Sequence, residues 1–502
     1  MSTAVIATEA PLEIATTRAW EKIGNAVVLL LYSGVVLFTV RYHEKWADEA
    51  QAWLIARDLD LKTIWFHELR YEGSPGLWHT ILWVVQHVFH ARYGALGYIG
   101  VAFAIAGAAV LIFAAPFPRH IRWPLAFTYV MVYQYAVIAR PYTLLPLLCF
   151  VVAILFKDVQ HPGRMTVALV LLALLTLHGT ILAGCFGLAY LLEVGKSWAT
   201  LEMNVRHRFV ICAAAMALTF IFIVIVLKPT ADIEEFVVKK QLATLAANAQ
   251  IETPTAHKKF NAIMSGAFLD WVTPSVAFVV LAAVWCFVRR RFLTITLPVG
   301  AMIAVYSMIH GAAHHHGTAF VAAIAGLWIA WPTPHEGDAL NRAERRALLG
   351  MIGLLACLCA INIWDAMVVI EREYTYPYCG SKDAANYLKS VGADRGSMFG
   401  FLFGTVAVQA YFDRNLFSNI PTAYFHHGLP LYGTNLDTDQ LRRVQPEYLV
   451  AYSDDPEQMA KNDFPVLDSE GYEIAHFSDG YYLYKSGVFE REVFFIFRRV
   501  RP

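Results

Sequence analysis

The chain has 502 residues, of which 57% are hydrophobic and 16% charged, with 40 acidic and 40 basic side chains. So apolar a composition at this length excludes an ordinary soluble protein and reads as a polytopic membrane protein. Zero formal net charge leaves no broad basic surface for nucleic acid, and the seven cysteines, scattered and mostly inside apolar runs, imply no disulfide framework.

The polar segment Met1 to Lys22 precedes a first apolar run at 23–41, which is read as a retained span rather than a signal peptide because no small-residue cleavage site follows it. Next comes a long polar loop, Trp46 to His79, reading WADEAQAWLIARDLDLKTIWFHELRYEGSPGLWH; loops of that length in compact proteins usually have a function. The short run 76–91 carries three histidines and a glutamine, which suits a juxtamembrane or re-entrant helix better than a span. Further apolar runs lie at 96–115, 122–138, 142–157, 165–195, 208–227, 272–289, 292–310, 313–332 and 346–366. The 165–195 run is too long for one helix and is divided at His178-Gly179. The expectation is a mainly α, polytopic helical membrane protein of 11–13 spans, with residues 1–366 as the membrane module and 42–75 as its outer loop. From 367 to 502 the composition turns polar: helix-like GSKDAANYLKS alternates with strand-like EYLVAY, YYLYK and EVFFIF, as in a small α/β domain.

Lysine and arginine bias sets the orientation. Arg119 and Arg122, Lys157 and Arg164, Arg206 and Arg208, Arg289 to Arg291, and Arg342, Arg345 and Arg346 fall on one side by parity, taken as the cytoplasm together with the N-terminus. The outer side then receives the Asp48 loop, Ala139 to Tyr142, His178, the 228–271 loop, the His310 to His316 cluster and the C-terminal domain. For a bacterial chain this means the inner membrane.

Several residues on that side could carry chemistry. Asp48 and Glu49 are adjacent carboxylates just past a span, suited to a general base or to a divalent cation; alternatively Asp48 and Gln51 form a capping box opening the helix AQAWLIARDL. Arg70 and Glu72 lie in a turn forced by Gly73 and Pro75, where Arg70 could meet a phosphate or simply sit at the surface. Arg140, beside the helix-breaking Pro141 and among Tyr133, Tyr135 and Tyr142, is expensive in a membrane unless it faces a cavity, a partner or headgroups. His310, His314, His315 and His316 allow either metal ligation with a loop carboxylate or hydrogen bonds to a phosphate. A cation site would draw on Asp48, Glu49, His310 and His314. His178 reads first as a packed, hydrogen-bonded residue. Lys228, Lys239, Lys240, His257, Lys258 and Lys259 make the 228–271 loop basic, as for a solvated amphipathic helix or the attraction of a lipid-linked phosphate.

A first span, an outer loop with WADEAQAWLIARD and a Gly/Pro turn, RYEGSPGLW, leading into an apolar helix together resemble the GT-C glycosyltransferases. That superfamily includes protein O-mannosyltransferases and the aminoarabinose transferases that modify lipid A; YAVIARPYTLL and HHHG also look similar to segments in its bacterial members. The resemblance implies inverting transfer of a sugar from a polyprenyl-phosphate carrier to an acceptor (glycan, lipid or protein) on the non-cytoplasmic side. By it Asp48 is the base, Glu49 supports it or a divalent metal ion, and Arg140, Arg70, Glu72, Tyr142, His178 and His314 to His316 bind the substrate and its phosphate. One departure stands out: where the aminoarabinose transferases carry a lysine after the acidic motif, this chain has Arg70 or Glu72. Two other classes remain open at this stage. A transporter or flippase of an anionic lipid would use the same arginine and histidines but usually shows repeats, none of which is found; a non-catalytic assembly factor would need Asp48 only as a helix cap.

Overall fold

Uninterrupted apolar runs become long helices, and prolines or polar breaks shorten the others. The computed structural model describes residues 10–231, 256–308, 312–333, 336–337, 339–425 and 438–500. In chain order its main helices are α1 (Ala10–Tyr42), α2 (Ala47–Asp58), α3 (Leu77–His87), α4 (Leu96–Ala114), α5 (Arg119–Ala126), α6 (Leu145–Leu155), α7 (Pro162–Ala173) and α8 (Leu177–Ser197). They continue as α9 (Met203–Val226), α10 (Ala256–Met264), α11 (Val272–Val288), α12 (Leu293–Met308), α13 (Gly317–Ala330), α14 (Arg342–Thr375) and α15 (Ser381–Ser390).

The protein is a mainly α-helical integral membrane protein. Among the described residues, five helical stretches are long and apolar enough to cross a membrane: Ala19–Tyr42, Tyr93–Ala114, Leu177–Thr200, Met203–Val226 and Arg342–Thr375. The pair Ala256–Leu269 and Val272–Val288, bent by 70°, would make a sixth. The other apolar runs fold as shorter or broken segments. The run at 122–138 divides into α5, which contains Pro124, and a π turn at Val130–Gln134. The long run at 165–195 breaks at Leu174 to Thr176, just ahead of the expected point, because the Thr176 hydroxyl accepts from the Gly179 amide at 2.8 Å and caps α8. Helix α3 has 11 residues, about 16 Å at 1.5 Å per residue, well short of a hydrocarbon core of about 30 Å.

Three helices show that the bundle has two chemically distinct ends. Helix α13 starts beside His314 to His316 and ends near Glu336, which pairs with Arg289 at 2.9 Å and Lys157 at 3.6 Å. Helix α6 follows Arg140 and ends near Lys157, while α8 starts at His178 and ends near Glu193, the partner of Lys196 and Arg291. Lys157, Arg289 and Arg291, three of the basic residues used for orientation, therefore gather at one end, and Arg140, His178 and His314 to His316 at the other.

Helix α14 opens with a capping box between Asn341 and Glu344 and runs unbroken past residue 366 to Thr375. Beyond it four strands, β1 (Met398–Phe401), β2 (Tyr448–Ser453), β3 (Tyr472–Leu483) and β4 (Phe489–Arg499), form a sheet of order β1-β2-β4-β3. β1 and β2 are parallel and the other pairs antiparallel. Val493, Phe495 and Phe497 point into one core and Phe494 and Ile496 into the other, which explains why β4 is a continuous apolar run rather than an alternating one. The segment after α14 packs against the bundle end that carries Arg140: Ser381 Oγ donates to the Lys45 carbonyl at 3.2 Å, and Arg57 Nη1 to the Phe412 carbonyl at 2.6 Å.

Candidate active site

Helix α2 begins two residues earlier than a cap built on Asp48 and Gln51 requires. Trp46 is the N-cap residue, and its amide donates to Glu49 Oε2 at 3.2 Å. Gln51 is used elsewhere: its side-chain amide donates to Glu72 Oε1 at 2.8 Å and exchanges hydrogen bonds with the backbone of Phe425. The expected Asp48–Gln51 box is therefore replaced by Glu49 reaching back over the first turn. Successive residues on a helix point about 100° apart, and Asp48 and Glu49 accordingly face different surroundings.

Glu49 is fully buried. Its Oε1 accepts from the Ala139 amide at 2.7 Å and its Oε2 from His43 Nε2 at 2.9 Å. The other ring nitrogen of His43 meets Glu373 Oε1 at 3.0 Å, and the Tyr133 hydroxyl donates to the second Glu373 oxygen. Burial alone would push His43 down, but the charges and hydrogen bonds of Glu49 and Glu373 outweigh it and raise its pKa to about 10. Burial likewise works to raise the Glu49 pKa; His43, the Ala139 amide and Lys45 overcome it and hold that carboxyl below its usual value. The result is an imidazolium clamped between two carboxylates.

Asp48 instead lines a cavity and pairs with Arg140 Nη2 at 3.0 Å. Burial, with Glu49 acting in the same direction, keeps its pKa above the usual range against the opposing effect of Arg140. The Arg140 guanidinium lies 5.4 Å from the ring centroids of both Trp46 and Tyr142, within cation–π range. Its Nη1 is buried with no hydrogen-bond partner among the described residues. Arg140 and Tyr142 stand between two cavities and line both. One, of about 500 Å³, is bordered by Asp48, Glu72, His79, His178 and His315. The other, of about 920 Å³, opens between the bundle end and the C-terminal sheet and is rich in aromatic side chains, among them Trp46, Tyr135, Tyr452 and Tyr482.

The remaining candidates divide. Tyr142 hydrogen-bonds His178 Nδ1 through its hydroxyl at 2.9 Å, so His178 is both a bonded packing residue and part of the cavity wall. The His315 ring lies tilted beside His178, 4.7 Å between centroids, and lines the smaller cavity; His314 and His316 line the larger. Burial, followed by the nearby Arg140 charge, drives the His314 pKa well below its usual value, so this ring is a neutral hydrogen-bonding group. Glu72, next to the left-handed Gly73 (φ 60°), borders the smaller cavity, and burial raises its pKa to about 8. Arg70 is not brought in: it donates to the Phe66 carbonyl one turn back and lines neither cavity. His310, Lys239 and Lys240 lie outside the described residues.

Of the set considered for a cation, Glu49 has both oxygens engaged inside the wall and His310 lies outside the described residues; among the described residues no three His, Cys, Asp or Glu side chains converge as ligands.

The chain is similar to ArnT from Cupriavidus metallidurans, whose crystal structure is bound to undecaprenyl phosphate, at 12% identity over 94% of this chain and 97% of that one, with a TM-score of 0.47. It is also similar to the arabinofuranosyltransferase AftD from Mycobacteria, at 13% identity over 96% of this chain but only 40% of AftD, with a TM-score of 0.38. No family model and no curated protein matches.

The sequence reading did not single out His43, Glu373, Trp78 or His79, and it gave Gln51 only as a cap partner of Asp48. A histidine at the mouth of the first span, close before two acids, was the one local signal available for His43. Glu373 is 330 residues from it, and only tertiary structure joins them.

Proposed function

We propose that the protein is a lipid-linked-sugar glycosyltransferase that works on the outer face of the membrane. The observation that carries this reading is the Asp48–Arg140 pair, set between two cavities with one arginine nitrogen left unpaired. Such a pair matches the two charges that sugar transfer from a polyprenyl phosphate must manage. Asp48 takes the proton of an acceptor hydroxyl as that oxygen bonds the anomeric carbon, and its raised pKa makes it a stronger base than a free carboxylate. The bond from the anomeric carbon to the phosphate oxygen breaks at the same time, from the opposite face, inverting the centre. The bonding electrons leave with the carrier phosphate, and Arg140 Nη1 receives the charge that develops there.

In this scheme the smaller cavity takes the sugar phosphate of the donor, the larger cavity takes the acceptor, and the C-terminal domain, 367–502, positions that acceptor over residues 1–366. His178 and Tyr142 brace the arginine's neighbourhood, with His315 beside them. Glu49 holds the backbone at Ala139, next to Arg140, rather than reacting. Clustering of the basic residues at the opposite end supports a cytoplasmic N-terminus and an extracytoplasmic catalytic end.

The test is transfer by purified Asp48→Asn protein from a panel of polyprenyl phosphate sugars. General-base loss should lower turnover by about 10²–10⁴, with the bare carrier still bound. Turnover equal to wild type removes Asp48 from the chemistry and with it this mechanism.

A further inference from the structure

The smaller cavity contains more unpaired donors than Arg140. Trp78 and His79, in the first turn of α3, are 1% and 4% exposed, and both border this space. The Trp78 indole nitrogen and both ring nitrogens of His79 have no hydrogen-bond partner among the described residues. Buried polar atoms are nearly always paired, and leaving one unpaired costs about 1–3 kcal/mol. Three such side chains on one cavity, counting Arg140, therefore mark surface shaped for a ligand rather than for packing. The helix start is itself fixed, since the Leu77 amide donates to the Leu174 carbonyl at 3.0 Å in the break before α8.

The chemistry of the wall is divided. Arg140 offers only donors, which suits a phosphate oxygen. Burial lowers the His79 pKa to about 4, so the ring is neutral, with one N–H and one lone pair. A hydroxyl, which both donates and accepts, can satisfy both nitrogens, whereas an ionised phosphate would use only the N–H and leave the lone pair unmet. Trp78 adds a donor for a hydroxyl or ring oxygen. Glu72, braced by Gln51, supplies a further carboxyl on the same cavity.

Resting on the donor site of the reading above, we propose that Trp78 and His79 contact the sugar of the donor: its phosphate lies at Arg140 and its hydroxyls at the first turn of α3. These two side chains then discriminate a carrier that bears a sugar from one that does not, and help to set which sugar is accepted. Neither belongs to the acidic motif or to the arginine segment.

The experiment measures the affinity of the full-length protein for three probes: polyprenyl phosphate, polyprenyl-phosphoryl mannose and polyprenyl-phosphoryl arabinose. Wild type should bind at least one sugar-bearing probe more tightly than the bare phosphate. His79→Leu and Trp78→Phe should each weaken that probe by about five- to tenfold, the equivalent of one lost hydrogen bond, and leave bare polyprenyl phosphate within about twofold. His79→Gln, which keeps a donor and an acceptor, should restore most of the loss, an effect that a general packing defect would not show. Arg140→Gln should weaken all three probes. If His79→Leu and Trp78→Phe leave the sugar-bearing probes unchanged, or weaken every probe equally, the inference is overturned while the donor site stands. If wild type binds none of the three, the parent reading fails with it.

Discussion

Asp48 and Glu49 are neighbours on one helix and belong to two different kinds of interior. Around Glu49, each oxygen of Glu49 and Glu373 accepts at least one hydrogen bond, and His43 uses both ring nitrogens. Around Asp48, the cavity wall leaves Arg140 Nη1, Trp78 Nε1 and the His79 ring unpaired. A satisfied buried network holds a shape; a wall of unpaired donors is a shape held ready for something else. The acidic pair is thus a junction between scaffold and cavity rather than a single functional unit. Arg140 is where the two regions meet, with Asp48 on its guanidinium and Glu49 on the amide of the residue before it.

The contrast breaks most directly at His43. Its replacement in His43→Leu leaves two buried carboxylates without their cation, which should cost about 3–5 kcal/mol, read as a fall in melting temperature of the detergent-solubilised protein. Asp48→Asn, on the cavity side, should stay within about 1 kcal/mol of wild type. Equal stability of the two variants would dissolve the distinction between the regions. The pH dependence carries a sign as well. Folding raises the His43 pKa from 6.5 to about 10, so its contribution is complete below 6.5 and lost as pH climbs through about 10. Wild-type stability should therefore fall across that window, by at most about 1.4 kcal/mol per pH unit for one proton, and the fall should be absent in His43→Leu. Glu49, held low, acts in the opposite sense and loses its contribution as pH drops through its lowered pKa.

On the cavity side, Arg140→Gln should lower turnover by about 10²–10³, the scale of losing one preorganised donor to a developing charge, with a much smaller change in melting temperature. Arg140 also opposes the upward shift of Asp48, so its removal should move the acid limb of the pH–rate profile to higher pH. A profile that does not move would mean that the pair is not coupled in the proposed reaction. The smallest effect is expected at Glu72. Its carboxyl is protonated below about 8, so Glu72→Gln should change turnover less than about threefold at neutral pH, on the scale of one altered hydrogen bond. The variant should also abolish any inflection near pH 8. A large loss at neutral pH would instead assign Glu72 to the ionised chemistry.

How much of this was legible in the sequence follows the range of each interaction. Composition and apolar run length depend on burial summed over neighbouring residues, and they were enough for the membrane class, the helical character, the break near His178 and three of the four strands of the C-terminal sheet, the short β1 excepted. Parity along the chain was enough to gather Asp48, Arg140, His178 and the histidine cluster at one end. Run length could not tell whether a run stays whole, because Pro124 and the π turn at Val130–Gln134 act locally inside the 122–138 run. Nor could an acidic motif reveal which carboxylate is walled in. That depends on a histidine 6 residues away, a glutamate 330 residues beyond the histidine and an amide 90 residues from Glu49, and no local pattern encodes contacts at such separations. Composition and run length were enough for a helical membrane protein whose polar candidates share one end. That Glu49 belongs to the wall and Asp48, Trp78 and His79 to the cavity follows from the folded chain alone, because pairing of buried polar groups is settled by three-dimensional neighbours.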